Sequence, residues 1–196
     1  WFKMPNSPVK EVYLEKEELL RLIDYTERFA KNSKEYLILK MYQFSCFCGL
    51  RFSDVMDLRW RDIDFENELI RKKMIKTKSE VITPLFPMAR DILMEKSDGG
   101  RLLGSDEKIF YNYAEPTVNK TLREHSKKAG IDKHLTYHSS RHTFATLLVI
   151  DKVDIYTISK YLGHKSVNMT QRYLKYDLSI AKESAKNIST FSGKNE

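Results

Sequence analysis

Histidine, arginine and tyrosine side chains with complementary chemistry lie close together in the last third of the chain. His138 and Arg141 are followed by His164 and, nine residues later, by Tyr173. Arginine binds phosphate oxygens in pairs, and histidine can donate a hydrogen bond or a proton near neutral pH. A tyrosine hydroxyl, whose pKa is about 10 in a free peptide, can act as a covalent nucleophile if it loses its proton as it attacks. These residue types together suggest attack on a phosphate and a phosphotyrosyl intermediate.

A helix is expected to hold part of this set. His138, Arg141 and His142 are spaced by three and four residues, which places them on one face of a helix running from about Ser139. A second face is apolar and is expected to pack in the core: Phe144, Leu147 and Leu148. Gly163 is a helix-stop signal, and it ends the next predicted helix just before the second imidazole.

A metal site is the alternative interpretation of the histidine pair on this helix. His138 and His142 have the spacing of an HxxxH ligand pair. In that interpretation the positive charge of Arg141 would lie beside the metal cation and repel it. In addition, no nearby carboxylate completes the ligand set. A CxC site at Cys46 and Cys48 also lacks matching ligands nearby, so we expect no bound metal.

The ordered motifs resemble those of the tyrosine recombinase, or phage integrase, family. The C-terminal set consists of His138-x-x-Arg141, Leu162-Gly163-His164 and Tyr173. Residues 48–54 (CGLRFSD), followed by residues 58–64 (LRWRDID), resemble the family's first arginine motif. Together these motifs cover both ends of a catalytic domain, in the family's order and spacing. The resemblance implies the catalytic domain of a bacterial mobile-element integrase.

Carried onto this sequence, the resemblance implies a catalytic set: Arg51, Lys76, His138, Arg141, His164 and Tyr173. The two arginines would bind the non-bridging oxygens of one DNA phosphate, and the two histidines would add donors that favour the pentacoordinate transition state. The tyrosine would attack phosphorus to form a 3′-phosphotyrosyl link, while the lysine protonates the departing 5′ oxygen. A second 5′-hydroxyl would reverse the step on a partner strand, so that no ATP, metal or other cofactor is required.

Two of these assignments have rivals nearby. Lys76 matches the family's Lys-Thr context best, and Lys73 and Lys78 are the alternatives. Tyr176 lies only three residues beyond Tyr173, but the nine-residue interval from the second imidazole favours Tyr173.

Further residues are expected to support the site or to bind DNA. Asp54 occupies the acidic position that follows the family's arginine, and it would orient active-site side chains. His142 is expected to support the fold or the residues that contact the phosphate. Basic residues of a helix predicted over 116–129 could contact DNA phosphates or could form a solvated face: Lys120, Arg123 and Lys127.

Hydrophobic periodicity predicts a mainly α-helical protein with a small antiparallel sheet, an α+β fold. Helices are predicted over 15–30, 36–48, 53–59, 87–96, 116–129, from about 139, over 153–162, after an N-cap at Ser166, and over 178–188. Short strands are predicted over 62–73 and 81–85 around a turn at 75–79. The resemblance implies the catalytic-domain fold of the tyrosine recombinases.

The predicted organisation is an extended lead-in over 1–14, a catalytic domain over 15–177 and a C-terminal tail helix over 178–196. The chain begins at Trp1 with neither an initiator methionine nor a signal peptide. We interpret it as an internal fragment that lacks the N-terminal core-binding domain usual in the resembled family.

Composition sets limits on partners and compartment. The chain has 34 Lys and Arg against 27 Asp and Glu residues, and the net charge of +7 is compatible with a polyanionic partner such as DNA. No run of about 18 apolar residues exists, so no membrane span is expected. Cys46 and Cys48 point apart on a predicted helix, which disfavours pairing. Buried thiols in a reducing, cytoplasmic compartment are expected.

The resemblance implies site-specific cleavage and rejoining of double-stranded DNA, as in integration and excision. The chain is expected to be a monomer alone and a tetramer on paired DNA sites, assembled by exchange of the C-terminal tail. Two alternatives come from other classes. A type IB topoisomerase-like enzyme would cleave without strand exchange, and a DNA-binding module would have lost catalysis. The complete catalytic set argues against the DNA-binding module that has lost catalysis.

Overall fold

Eight helices and one small sheet make up the part of the chain that the computed structural model describes, residues 11–97 and 103–174. The helices α1 to α8 are Lys16–Thr26, Lys34–Cys48, Phe52–Met56, Pro87–Lys96, Glu115–Lys128, Tyr137–Ile150, Ile155–Leu162 and Asn168–Gln171. A single 3-10 turn, Trp60–Asp62, leads into strands β1 to β3, which are Ile63–Asp64, Leu69–Lys73 and Glu80–Pro84. The strands pair antiparallel in the order β1-β2-β3, so the predicted fold class is confirmed.

Helix α2 is the centre of the main core. Ser33 caps its N-terminus by accepting a hydrogen bond from the amide of Tyr36 (3.2 Å), and Gly49 ends it in the left-handed conformation, with φ +68°. Most of its side chains are buried, including both cysteines, which are free thiols as predicted. Burial raises the pKa of the Cys46 and Cys48 thiols, the latter to about 12, so both stay protonated.

Helix α6 packs directly on α2 and is enclosed along most of its length. The hydroxyl of Tyr42 lies 2.8 Å from that of Ser139, and the Ser45 hydroxyl bonds that of Tyr137. Every side chain from residue 139 to residue 146 is buried. The prediction of one apolar face was therefore incomplete, because the polar face of α6 is buried as well. A polar face can be buried only where its groups find partners, and these hydroxyls find them.

The β2–β3 hairpin projects a tight turn toward the C-terminal helices. Ile70 pairs with Thr83 in the ladder, and the turn closes through the amide of Met74 on the Ser79 carbonyl (2.9 Å). Lys72 is buried on the hairpin's inner side, where its ammonium donates to both Asp57 (2.9 Å) and Asp62 (3.1 Å). This ion pair fixes strand β2, near the turn, against the segment that follows α3.

Several predicted boundaries differ from the observed ones. Helix α3 begins at Phe52, with Arg51 at its N-cap, and ends at Met56, so the helix predicted over 53–59 starts one residue too late and extends three residues too far. Asp154 caps α7 by accepting from two backbone amides, and α7 therefore begins two residues later than predicted. Leu174 lies beyond the end of α8 at residue 171 and is 42% exposed. The tail helix predicted over 178–188 lies outside the described residues.

The segment between α4 and α5 contributes two side chains to the main core. The stretch around Ile109 and Phe110, at 5% and 4% exposure, is buried against the main core. Among the described residues, no helix is both long and apolar enough to cross a membrane.

Candidate active site

One pocket of about 270 Å³ collects the residues that the sequence motifs single out. All six predicted catalytic residues line it, together with His142 and five others: Arg51, Lys76, Thr77, His138, Arg141, His142, Gly163, His164, Lys165, Met169, Arg172 and Tyr173. Five of these carry a permanent or near-permanent positive charge, and no carboxylate is among the described residues that line the pocket. The pocket is therefore suited to an anion.

Arg141 is the most firmly fixed of the cationic groups. Its guanidinium donates to the carbonyl of Gly49 (2.7 Å) and to that of Leu162 (2.5 Å). These carbonyls stand at the C-terminal ends of α2 and α7, where backbone oxygens lack helical partners and the helix dipole favours a cation. Burial, and then the charge of Arg51, lower the pKa of Arg141 to about 10, so it stays charged at neutral pH.

Arg51 stands beside Arg141 with an unused donor. It occupies the corner between α2 and α3, and its Nη1 is buried with no hydrogen-bond partner among the described residues. A buried donor without a partner costs free energy that an incoming phosphate oxygen would recover.

His164 is held by a hydroxyl on the helix that follows it. Its Nδ1 lies 2.7 Å from Oγ1 of Thr170, a fully buried residue of α8. Burial, followed by the charges of Arg141 and Arg51, lowers the pKa of His164 to about 4. The imidazole is therefore neutral at pH 7 and can act as a hydrogen-bond donor rather than as a cation.

His138 lies at the open side of the pocket. Its ring packs edge to face on that of His142, with centroids 4.6 Å apart. Surrounding protein atoms, then the charges of Arg141 and Arg51, lower the pKa of His138. Among the described residues, no three His, Cys, Asp or Glu side chains are arranged to hold a metal ion.

Tyr173 lies at the wall of the pocket, two residues after the end of α8. Its side chain is only 3% exposed and packs with Phe144 and Leu162 in a second apolar cluster. Its hydroxyl lies 3.1 Å from Nδ1 of His142. His142 therefore contacts Tyr173 directly, which is a closer involvement than the supporting role predicted for it.

Lys76 reaches the pocket from the tip of the β2–β3 turn. It is exposed and, unlike its rivals Lys73 and Lys78, it lines the pocket. The turn is anchored by Asp54, whose Oδ1 accepts a hydrogen bond from the amide of Ile75 (2.8 Å). Asp54 is fully buried, so its contact with the lysine-bearing turn fits the orienting role predicted for it.

The basic residues predicted on α5 do not line this pocket. Lys120, Arg123 and Lys127 are exposed, and Lys120 is 3.9 Å from Glu124 in a surface ion pair. A DNA contact by this helix stays a prediction.

The structure adds residues that the sequence reasoning missed. Lys165 directly follows His164, and Arg172 directly precedes Tyr173. Adjacency to the motifs was therefore the available signal. Arg172 donates to Glu11 (2.9 Å), which lies 161 positions earlier in the predicted lead-in. No sequence signal indicated that contact.

Residues 12–178 match the profile of the phage integrase family. The chain belongs to the phage integrase family. A tyrosine recombinase of Pseudothermotoga lettingae is 32% identical over 163 residues, which cover 80% of this chain and 54% of that protein. The chain thus spans about half the length of that curated relative.

Solved structures of this family share the fold. The crystal structure of XerA recombinase has a TM-score of 0.71 at 26% identity, covering 95% of this chain and 66% of that one. The catalytic domain of bacteriophage HP1 integrase has a TM-score of 0.64 at 20% identity and is covered over its whole length (100%) by 95% of this chain. Its likeness concerns the fold alone.

Proposed function

We propose that this phage integrase family chain cleaves and rejoins DNA through a 3′-phosphotyrosyl intermediate. The observation that carries the proposal is the convergence of six motif residues, from five separate segments of the chain, on one cationic pocket with a tyrosine at its wall. A buried arginine donor without a partner stands in the same pocket, as a phosphate site requires.

The proposed step uses each side chain in a distinct role. Arg51 and Arg141 bind the non-bridging oxygens of the scissile phosphate, and the neutral His138 and His164 donate hydrogen bonds as charge accumulates on them. The phenolic oxygen of Tyr173 forms a bond to phosphorus while the bond to the 5′ oxygen breaks. The lysine at the hairpin tip gives that oxygen a proton. A 5′-hydroxyl from a partner strand later reverses the reaction.

Strand exchange is favoured over topoisomerase-like cleavage because the relatives are named recombinases. Double-stranded DNA is the proposed substrate, and the cytoplasm, where bacterial DNA lies, is the proposed location. Integration or excision of a mobile element is one use of this chemistry. The division into a lead-in over 1–14, a catalytic domain over 15–177 and a tail over 178–196 stays a prediction.

We also propose that the chain is a monomer alone and assembles as a tetramer on paired sites through its C-terminal tail. An apolar groove of about 740 Å³ between α1, α4 and α6 supports this proposal, with Leu20, Met88 and Ile150 exposed along it. The tail carries a few apolar residues of the matching kind: Leu178, Ile180, Ile188 and Phe191. Deleting 178–196 should reduce the mass of DNA-bound assemblies in light scattering, and unchanged tetramers on paired sites would contradict tail exchange.

A covalent-capture experiment tests the cleavage chemistry. The chain is incubated with a pool of nicked duplexes randomised on both sides of the nick, which release the 5′ fragment and trap any phosphotyrosyl adduct. The unaltered chain should form an adduct that survives denaturation, and sequencing the captured duplexes gives the preferred site. Tyr173→Phe should form none while retaining DNA binding, because it lacks the attacking oxygen.

Tyr176→Phe is the matched control, since it removes the same atom three residues away. It should form the adduct at the unaltered rate. The proposal fails if the unaltered chain forms no adduct, and the assignment of the nucleophile fails if Tyr176→Phe abolishes the adduct and Tyr173→Phe does not.

A further inference from the structure

Glu11, His142 and Tyr173 form a carboxylate, imidazole and phenol arrangement at the back of the pocket. Nδ1 of His142 lies 3.1 Å from the Tyr173 hydroxyl and 3.8 Å from Oε2 of Glu11. That Oε2 atom is buried and has no hydrogen-bond partner among the described residues. One imidazole nitrogen therefore faces both the attacking hydroxyl and a carboxylate.

A second contact fixes the carboxylate. Oε1 of Glu11 accepts a hydrogen bond from Nη1 of Arg172 at 2.9 Å, and the Glu11 side chain is only 13% exposed. Arg172 directly precedes Tyr173 in the chain. The same backbone segment thus carries the tyrosine and the group that holds Glu11, while the second carboxylate oxygen is left to face His142.

The surroundings of His142 differ from those of the other two imidazoles in the pocket. Desolvation by surrounding protein atoms, followed by the charges of the neighbouring arginines, lowers the pKa of His138 and of His164. Within residues 11–97 and 103–174, His142 is the one pocket imidazole with a carboxylate within 4.0 Å. A nearby negative charge favours the protonated form of histidine, whereas nearby arginines oppose it.

We propose that His142 is the general base that accepts the phenolic proton of Tyr173, and that Glu11 is a positioning residue that stabilises the resulting imidazolium. The step balances as follows: the O–H bond of Tyr173 breaks, its proton joins Nδ1 of His142, and the phenolic oxygen bonds to phosphorus. The 5′ oxygen leaves with a proton from Lys76. The groups that face His142 include Glu11, His138 and Tyr173. Glu11 also pairs with Arg172, which offsets part of the negative charge of Glu11.

This inference rests on the proposed function and deepens it by assigning the proton acceptor. It also gives the predicted lead-in a role in the reaction. Because Glu11 precedes α1, the docking of the N-terminal segment on Arg172 becomes a condition for efficient proton transfer.

His142→Asn separates proton acceptance from positioning. An asparagine amide can take the place of Nδ1 and keep a hydrogen bond to the Tyr173 hydroxyl, but it cannot accept a proton near neutral pH. On the captured nicked duplex, the rate of adduct formation should fall at least about 100-fold, the usual scale of a lost general base. Retention of the unaltered rate within threefold would overturn the proposal.

A sulfur leaving group shows on which side of the phosphate His142 acts. With a 5′-bridging phosphorothiolate in the same duplex, the departing thiolate needs no proton, so Lys76→Ala should regain most of the unaltered rate. His142→Asn should stay at least about 100-fold slow, because its defect concerns the attacking oxygen. Rescue of His142→Asn by the sulfur substrate would overturn the assignment.

Glu11→Gln keeps an oxygen for Arg172 and removes only the charge, which guards against a folding defect. The rate of the unaltered chain should rise with pH as His142 loses its proton. Without the carboxylate the imidazolium is less stable, so the acid limb should move to lower pH by at least about 0.5 unit and the plateau should fall. Glu17→Gln makes the same charge change at an exposed position of α1 and should leave the dependence of the rate on pH unchanged.

The outcomes separate this inference from the function on which it rests. An unshifted profile in Glu11→Gln overturns the role of Glu11, and a full-rate His142→Asn overturns the base, while both leave the phosphotyrosyl mechanism standing. Absence of any adduct with the unaltered chain overturns the function and this inference together.

Discussion

The arginine side and the lysine side of the pocket are built in opposite ways. Arg141 is 3% exposed, and two helix-terminal carbonyls hold its guanidinium. Lys76 is exposed at the tip of a hairpin turn, and what is fixed there is the backbone beside it, through Asp54 and the amide of Ile75. One side is positioned by its side-chain contacts, and the other by its backbone alone.

The difference corresponds to what the proposed chemistry requires of each side. A group that binds the charge of a transition state acts best when it is already oriented before the substrate arrives. A proton donor must instead reach the oxygen that departs, and a long exposed side chain on an anchored turn can do so. The comparison predicts that changes on the arginine side lower stability and activity together, whereas changes on the lysine side lower activity alone.

Gly49→Ala should give the largest loss of stability. Gly49 supplies a carbonyl to Arg141 at φ +68°, and an added Cβ would overlap Cδ1 of Phe144 and lie 2.8 Å from its Cε1. Left-handed backbone costs about 1 kcal/mol for alanine, and overpacking a core costs about 1–3 kcal/mol. Urea unfolding should therefore show a loss of about 2–4 kcal/mol, together with slower adduct formation.

Gly130→Ala is the control for this change. Its φ of +72° is similar, but nothing lies within 4 Å of the added Cβ. It should lose only the backbone contribution, about 1 kcal/mol, and keep full activity. Equal losses in the two variants would show that contact with Phe144 does not constrain the arginine side.

Lowering the pH should reduce the free energy of unfolding through His164, which lies on the arginine side. The expected loss is smaller than that of Gly49→Ala and larger than that of Lys76→Ala. Its pKa of about 4 in the folded chain lies below the value of 6.5 expected when unfolded. Between these values the unfolded chain binds more protons, so the free energy of unfolding falls as the pH drops from 7 toward 4. From pH 7 to pH 5 this residue should account for a loss on the order of 1–2 kcal/mol.

His164→Gln should remove that part of the acid loss, as measured by urea unfolding at both pH values. His134→Gln, which alters an exposed histidine outside the pocket, should leave the loss as it is in the unaltered chain. If His164→Gln and the unaltered chain lose the same free energy between pH 7 and pH 5, His164 is not buried as described.

Sequence patterns predicted the helices that have strong local signals. Helix α4 runs from Pro87 to Lys96 as predicted, because proline suits the first turn, and α2 ends at Gly49, which adopts the left-handed conformation. Helix α3 was misplaced because its cap position is occupied by Arg51, which makes no capping hydrogen bond. The boundary there follows from packing at the α2–α3 corner.

The site could be predicted as far as its motifs extend along the chain. Local spacing brought His138, Arg141 and His142 to one helix, and the structure places all three at the pocket. The contact of Glu11 with Arg172 spans 161 positions, and neither residue has a pattern that indicates the other. Likewise, the burial of α6 on both faces depends on its packing against α2, which periodicity within one helix does not report.

Lys76→Ala should give the smallest change in stability and so test the comparison at its other end. The side chain is exposed, and no hydrogen bond or ion pair to it is present among the described residues. Surface substitutions of this kind usually change the free energy of unfolding by less than about 0.5 kcal/mol. Adduct formation should nevertheless slow by at least about 100-fold, since the departing 5′ oxygen loses its proton donor.

Lys72→Ala, four residues away on the same hairpin, is the matched control. It should lower stability and leave the rate of adduct formation unchanged. Its ammonium is buried between Asp57 and Asp62, and its removal leaves two carboxylates without their shared cation. A loss of about 2 kcal/mol is expected, reduced from the cost of a fully buried pair because Asp57 is 40% exposed. Adduct formation per folded molecule should stay near the unaltered rate. If Lys76→Ala destabilises the chain as much as Lys72→Ala does, the hairpin tip is held by its lysine side chain, and the proposed difference between the two sides of the pocket is wrong.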